Sequence, residues 1–120
     1  MMLAAAKLAP IRKGLLEFLV LKIVGWRNVY AADILRALSE TDFATQEGTL
    51  YPLLSKLRRE GLVTYVWQES ELGPPRKYYR LTAEGEIQLR ELDQYWTHLH
   101  QTVAELGQPV TGQPVTGEKR

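Results

Sequence analysis

The spacing of apolar positions in the first half of the chain predicts three helices. Between about Pro10 and Val24, apolar side chains surround the helix almost completely, which is typical of a helix at the centre of a core. Gly25 and Asn28 interrupt this run. Two shorter helices follow, in each of which apolar residues recur at i, i+3, i+4 and i+7. These residues are Ala31, Ile34, Leu35 and Leu38 in the second helix, and Leu50, Leu53, Leu54 and Leu57 in the third.

After the third helix the pattern becomes that of β-strands. Gly61 stands where a left-handed helix cap belongs. The segments Leu62–Glu69 and Lys77–Thr82 are rich in β-branched and aromatic residues, and they predict a hairpin with a long loop, Ser70–Arg76. We expect the dipeptide Pro74-Pro75 to stay in the loop, because proline cannot donate a backbone hydrogen bond to a strand ladder.

The last predicted element is a long helix from Thr82, a good N-cap residue, to about Leu106. Its apolar residues recur at alternating three- and four-residue steps and form a heptad seam: Leu89, Leu92, Trp96, Leu99, Val103 and Leu106. Only the first turns of this helix can reach the three-helix core, so the later apolar residues would stay exposed. An exposed stripe of this length marks an interface, and we expect a homodimer. Packing against its own domain is the alternative.

Three helices followed by a two-stranded hairpin have the element order of a winged helix-turn-helix. The predicted fold class is therefore mainly α with a small β-hairpin wing, followed by a long C-terminal dimerisation helix. The predicted domains are a winged helix-turn-helix DNA-binding domain at 1–82, the dimerisation helix at 83–106 and a low-complexity tail at 107–120. In the tail the hexapeptide GQPVTG occurs twice, and its glycines and prolines with few apolar residues predict disorder.

Charge and composition narrow the possible functions. The 15 basic and 14 acidic residues leave a net charge of +1, so attraction to nucleic acid has to come from local basic patches. The chain has no cysteine, which excludes disulfides and thiolate zinc sites and makes the cytoplasm the expected location. The most apolar stretch, Leu15 to Trp26, is too short to span a bilayer, so no membrane partner is expected.

Motifs of catalysis are missing from the sequence. There is no glycine-rich phosphate loop, nucleophile elbow or metal-spaced cluster, and the carboxylates stand singly among basic neighbours. His98 and His100 lie two residues apart, so on a helix they face different directions and are poor joint metal ligands. We therefore expect no enzyme activity, no catalytic residues, no metal and no cofactor.

The outward face of the third helix suits DNA. Hydroxyl groups there can bond to phosphates and basic side chains can neutralise them, while residues near the helix N-terminus can reach base edges in a major groove. The wing adds two basic residues where a phosphate backbone would pass. The predicted DNA-binding residues are Thr45, Gln46, Thr49, Tyr51, Ser55, Lys56, Arg59, Arg76 and Lys77. The alternative is that these charges only solvate an exposed surface.

Three runs of residues resemble the signature of PadR-type transcriptional regulators. They are Gly48-Thr-Leu-Tyr-Pro-Leu-Leu54, then Leu57 with Glu60-Gly-Leu-Val63, and Pro75-Arg-Lys-Tyr-Tyr-Arg-Leu-Thr82 with Glu84-Gly85. The resemblance covers about Ile11 to Leu106. It implies a recognition helix, a wing that contacts double-stranded DNA through Arg76 and Lys77, a dimerising last helix, and repression as the usual mode of action.

The resemblance also suggests a role for Trp96. In the drug-sensing branch of the PadR family, a tryptophan of the last helix lines a pocket between subunits and stacks on flat aromatic ligands. This implies a planar aromatic effector at Trp96, with an ordinary interface aromatic as the alternative. The expected function is a sequence-specific repressor that acts as a homodimer on a palindromic operator and is released by such an effector. The competing hypothesis is a winged-helix protein-interaction module without DNA binding.

Overall fold

The structure is a computed structural model that describes residues 5–26 and 28–108. Its elements are α1 (Ala5–Val24), α2 (Ala31–Leu38), α3 (Glu47–Arg59), β1 (Val63–Ser70), β2 (Gly73–Leu81) and α4 (Ala83–Gly107). The predicted fold class, mainly helical with a small antiparallel hairpin, is confirmed. The chain divides into two compact units, Met1–Leu89 and Arg90–Arg120, with the boundary inside α4. The tail predicted to be disordered lies outside the described residues beyond Gln108.

The core of the first unit lies where the three helices meet the base of the hairpin. The largest fully buried side chains come from α1, α2, α3 and β1: Val20, Leu21, Val24, Ile34, Leu50, Leu54, Leu57 and Val63. Only the C-terminal half of α1 is central, since Ile11 is 57% exposed. The helix also begins five residues before Pro10, because the alanines that precede it are the strongest helix formers.

Gly61 ends α3 in the left-handed conformation that the sequence predicted, with φ at 78°. Its N–H donates to the carbonyl of Arg58 (2.9 Å), and the N–H of Leu62 donates to the carbonyl of Leu57 (3.0 Å). These two bonds form a Schellman motif, which satisfies carbonyls at the end of the helix. Only glycine adopts this conformation without a steric cost.

Thr82 caps α4 as predicted and also ties it to the end of α3. Its hydroxyl accepts from the N–H of Gly85 (2.9 Å) and donates to the carbonyl of Gly61 (2.6 Å). The N–H of Thr82 donates to the carbonyl of Leu62 at 3.0 Å. A Cβ atom at Gly85 would collide with that same Leu62 oxygen, so the two segments are in direct backbone contact.

The predicted long loop of the wing is wrong. β1 and β2 pair from Val63 opposite Leu81 to Gln68 opposite Arg76, and pairing resumes with Ser70 opposite Gly73. Pro74-Pro75 therefore lies inside β2, at an irregularity where two residues oppose one. A bulge leaves backbone groups outside the ladder, so the missing proline N–H groups cost no ladder hydrogen bond.

The other edge of β2 pairs with the segment before α2. Val29 and Tyr79 exchange two backbone hydrogen bonds, of 3.1 Å and 2.8 Å. This bridge brings the residues that precede α2 against the middle of β2. The wing base is thus held from both sides, by β1 and by Val29.

Candidate nucleic-acid interface

α3 exposes the face that the sequence predicted. Its leucines at 50, 54 and 57 are buried, whereas Thr49, Tyr51, Ser55 and Arg59 are exposed. The exposed Gln46 is the N-cap residue, and its carbonyl accepts from the N–H groups of Thr49 and Leu50. Thr45 is half-buried just before it. A run of hydroxyl and amide groups at the start of α3 thus leads to a basic residue at its end.

Lys56 differs from the other predicted DNA-binding residues of α3, because it is engaged within the protein. Its ammonium donates to a carboxylate oxygen of Glu17 on α1 at 2.5 Å. This hydrogen bond, together with the negative charge of Glu17, raises the pKa of Lys56. The pairing was missed from the sequence because 39 residues separate the partners. Glu17 offsets the positive charge that Lys56 would otherwise present beside the exposed face of α3.

Arg76 and Lys77 are held by aromatic rings of the wing and of the segment before α2. The Lys77 ammonium lies 4.5 Å from the ring centroid of Tyr65 and 5.4 Å from that of Trp67. The Arg76 guanidinium lies 5.0 Å from the ring centroid of Tyr30. Cations over aromatic faces are attracted by the ring quadrupole, so both side chains are oriented in the absence of a ligand.

A cleft of about 660 Å³ separates α3, the wing and the start of α2. Its polar and aromatic lining comprises Tyr30, Arg36, Tyr51, Trp67, Arg76, Lys77 and Tyr79. Among the described residues that line it, three are basic and none is acidic. Local positive charge therefore exists in a chain whose net charge is close to zero.

Four polar or aromatic residues of this cleft were missed by the sequence analysis: Tyr30, Arg36, Trp67 and Tyr79. The spacing of apolar residues in α2 shows that Arg36 faces away from the core, but not which element it then faces. The Val29–Tyr79 bridge, which no local pattern predicts, brings the start of α2 to the wing. The available signal was the alternation along β1, which puts Tyr65 and Trp67 on one face. That Lys77 shares this face depends on its pairing with Trp67 across the hairpin.

The predicted seam of α4 becomes more exposed towards its end. Leu89 and Leu92 are half-buried, whereas Trp96 is 44% exposed and Leu106 is 82% exposed. Leu99 and Val103 between them are exposed as well. The ring of His100 lies 6.3 Å from that of Trp96, centroid to centroid. In the single chain, a stripe of large apolar side chains is thus left uncovered.

Comparison with known proteins gives the family. The family model described as "Transcriptional regulator PadR-like family" matches residues 20–91, more than half of the chain. The chain belongs to the PadR-like family. The matched range runs from α1 through the wing and contains every predicted DNA-binding residue. PadR-like proteins are DNA-binding regulators of transcription, so the chain is assigned to regulators rather than to enzymes.

Solved PadR-like structures share this architecture. A PadR-like transcription factor from Bacteroides fragilis is 44% identical, with a TM-score of 0.72, over 82% of this chain and 95% of that one. A PadR-like transcriptional regulator from Bacillus cereus strain ATCC 14579 is 37% identical, with a TM-score of 0.73, over 82% and 96%. A PadR family regulator from Eggerthella lenta DSM 2243 is 31% identical, with a TM-score of 0.74, over 88% and 93%.

The described residues of this PadR-like chain contain neither a candidate metal site nor a candidate membrane-spanning helix. No group of three or more histidine, aspartate or glutamate side chains there could hold a metal ion. No helix in residues 5–26 and 28–108 is long and apolar enough to cross a membrane.

Proposed function

We propose that this PadR-like chain is a sequence-specific repressor that acts as a homodimer on a palindromic operator, in the cytoplasm where bacterial DNA lies. The observation that carries the proposal is the exposed face of α3 beside a cleft with three basic and no acidic lining residues. Such a local patch supplies the electrostatic attraction that a net charge of +1 does not.

The residues divide by role along this surface. Thr45, Gln46 and Thr49 at the start of α3 read base edges in the major groove, where an α-helix fits. Tyr51, Ser55, Arg59 and the wing pair Arg76 and Lys77 bind phosphates and fix the position of the helix on the duplex. Lys56 joins them only by exchanging Glu17 for a phosphate.

The exposed seam of α4 supports the dimer. In this proposal 1–82 is the DNA-binding domain and 83–106 the dimerisation helix, with Leu89, Leu92, Trp96, Leu99, Val103 and Leu106 in the interface. Covering these side chains with a second copy removes apolar area from water, at about 25 cal/mol per Å². A twofold dimer that sets its recognition helices about 34 Å apart reaches successive major grooves, which requires a palindromic site.

An aromatic effector would act through Trp96. Its indole is partly exposed within the seam, with the exposed Tyr95 beside it in sequence. A planar apolar compound can stack on the indole and bury its own surface there. Such a ligand releases DNA only if it binds the DNA-free arrangement of the dimer more tightly than the DNA-bound one.

The experiment is a selection of DNA by the full chain from a duplex library with a randomised centre, followed by titration of a selected duplex at several salt concentrations. We expect a palindromic consensus. The affinity should fall about 10³-fold between about 50 and 200 mM salt, which is the loss expected of a protein that makes about six phosphate contacts. A protein-interaction module without DNA binding would enrich no sequence and would show no such salt dependence.

A further inference from the structure

The segment before α2 contributes an aromatic pair to the wing. The rings of Tyr30 and Tyr78 are stacked, with centroids 4.1 Å apart and planes 19° from parallel. The Arg76 guanidinium lies over the ring of Tyr30, at 5.0 Å from its centroid. The interaction with Tyr30 also raises the pKa of Tyr78. Tyr30 thereby limits the positions that Arg76 can occupy.

One carboxylate fixes both cleft residues of the α2 region. Asp33 accepts from the backbone N–H of Tyr30 at 2.9 Å and pairs with Arg36 at 3.1 Å. Arg36 nevertheless remains 74% exposed at its side chain, so its guanidinium keeps donors free for a ligand. Tyr30 and Arg36 are thus held in place by the fold, where they line the cleft from the start of α2.

The lining of the cleft matches a phosphodiester group. Arg36 and Arg76 offer planar forks of N–H donors that fit phosphate oxygens, and Lys77 adds a point charge against the wing aromatics. The cleft opens beside Tyr51 on the exposed face of α3, so a strand whose major groove holds α3 would run past it. A free small anion would meet the same charges in the cleft, but unlike a DNA strand it would not contact the exposed face of α3 at the same time.

We propose that this cleft binds one backbone phosphate of the DNA, with Arg36 and Arg76 as its ligands and Tyr30 as a positioning residue for Arg76. The inference rests on the proposed function and extends the DNA contact from α3 and the wing to α2. One DNA strand would then be contacted by α2, α3 and the wing. These phosphate contacts fix the position of the duplex relative to α3, independently of the base contacts.

The test of the phosphate contact uses the full chain and the selected duplex, with single phosphates replaced in turn by neutral methylphosphonates. In the native protein, one replacement beside the α3 site is expected to cost about tenfold in affinity, as loss of a charged hydrogen bond does. Arg36→Gln removes this contact from both half-sites of the palindrome. It should therefore weaken binding of the unmodified duplex by about 100-fold, reduce the slope of log affinity against log salt by about two, and make that replacement harmless. Arg90→Gln on α4 is the charge-matched control and should behave as the native protein.

The positioning role of Tyr30 has a separate readout. Tyr30→Phe keeps the ring under Arg76 and should retain affinity, whereas Tyr30→Ala should weaken binding as much as Arg76→Ala. The double variant should be no weaker than Arg76→Ala alone, because one contact is lost in all three. Additive losses, or equal losses in Tyr30→Phe and Tyr30→Ala, would contradict the positioning role. Circular dichroism melts confirm that each variant is folded.

Two failures can be told apart. A native protein that selects no DNA and shows no salt dependence overturns both the proposed function and this inference. A native protein that binds with a steep salt dependence, while Arg36→Gln matches Arg90→Gln and no methylphosphonate effect depends on Arg36, overturns only the cleft contact.

Discussion

Gly85 occupies a position where the fold leaves no room for a side chain. A Cβ atom there meets the carbonyl oxygen of Leu62, a backbone atom that cannot rotate away as a side chain can. Gly14 on α1 is the opposite case, since a Cβ there meets nothing within 4 Å. The two helical glycines therefore differ in what surrounds them.

This contrast gives a stability prediction. Gly85→Ala should lower the free energy of unfolding by about 1 to 3 kcal/mol, because the backbone of α4 or of Leu62 has to shift. Gly14→Ala should raise it by about 0.5 to 1 kcal/mol, since alanine is the better helix former. Urea denaturation at one fixed protein concentration measures both. Equal changes in the two variants would show that contact with Leu62 does not decide the effect.

The ion pair between Lys56 and Glu17 gives a second prediction at this scale. The pKa of Lys56 is raised, so its ammonium stays charged at neutral pH and loses its proton only as the pH climbs through that raised pKa. Glu17→Gln removes a negative charge near α3 and frees Lys56 for a phosphate. We expect tighter DNA binding and a salt slope steeper by about one for each copy, or about two for the dimer. In contrast, Lys56→Gln should change the affinity of the native protein little. Weaker binding by Glu17→Gln would mean that the pair is needed to orient α3.

Periodicity predicted α2 and α3 well because each of them buries one apolar face, and it predicted α4 from an apolar stripe that the single chain leaves largely exposed. Gly61 ends α3 and Thr82 caps α4 through interactions with residues nearby in sequence. For this reason the C-terminal end of α3 and the start of α4 were predicted correctly. The hairpin loop was mispredicted because Pro74-Pro75 reads as a loop in any local analysis. Its place in a bulge depends on the partner strand. The cleft was only half predicted, since Tyr30 reaches it through a bridge between Val29 and Tyr79.

The exposed face of α3 gives a prediction about DNA binding. Arg59→Ala should weaken binding to every duplex to a similar extent and reduce the salt slope by about one for each half-site, or about two for the dimer, because each copy loses one phosphate contact. Titration of a selected and an unrelated duplex at two salt concentrations measures both effects, with Arg90→Ala as control. If discrimination between the two duplexes falls while the slope holds, Arg59 reads bases instead.

At the scale of the whole molecule, the uncovered stripe of α4 predicts the oligomeric state. Leu99→Asp should yield monomers, because a carboxylate buried in an apolar interface without a partner costs several kcal/mol. His98→Asp changes the neighbouring residue off the seam and should leave the dimer intact. Sedimentation velocity at the same concentration distinguishes the two. A dimer of unchanged strength in Leu99→Asp would mean that another surface holds the copies together.

The effector sensing proposed for Trp96 would also be a property of the dimer. A planar aromatic dye that stacks on Trp96 should bind at micromolar concentration and weaken operator binding by the same factor by which DNA weakens dye binding, since the coupling is reciprocal. Tryptophan fluorescence of the native protein and of Trp96→Ala follows the dye, with the variant accounting for emission from Trp26 and Trp67. Dye binding that survives Trp96→Ala intact would leave Trp96 as interface packing only.

The contact of Thr82 with Gly61 and Leu62 means that the chain leaves α3 and enters α4 at nearly the same point. The two ends of the wing are joined by these hydrogen bonds. The length of the wing beyond them can therefore change without separating α3 from the start of α4. Insertions at its tip, near the fully exposed Leu72, are of the kind that surface loops tolerate. The outer part of the wing could therefore be exchanged between relatives, provided that Gly61, Thr82 and Gly85 are kept together with the buried Val63 and Tyr79 at its base. A regulator built this way can acquire new operator contacts while its core and its dimer stay as they are.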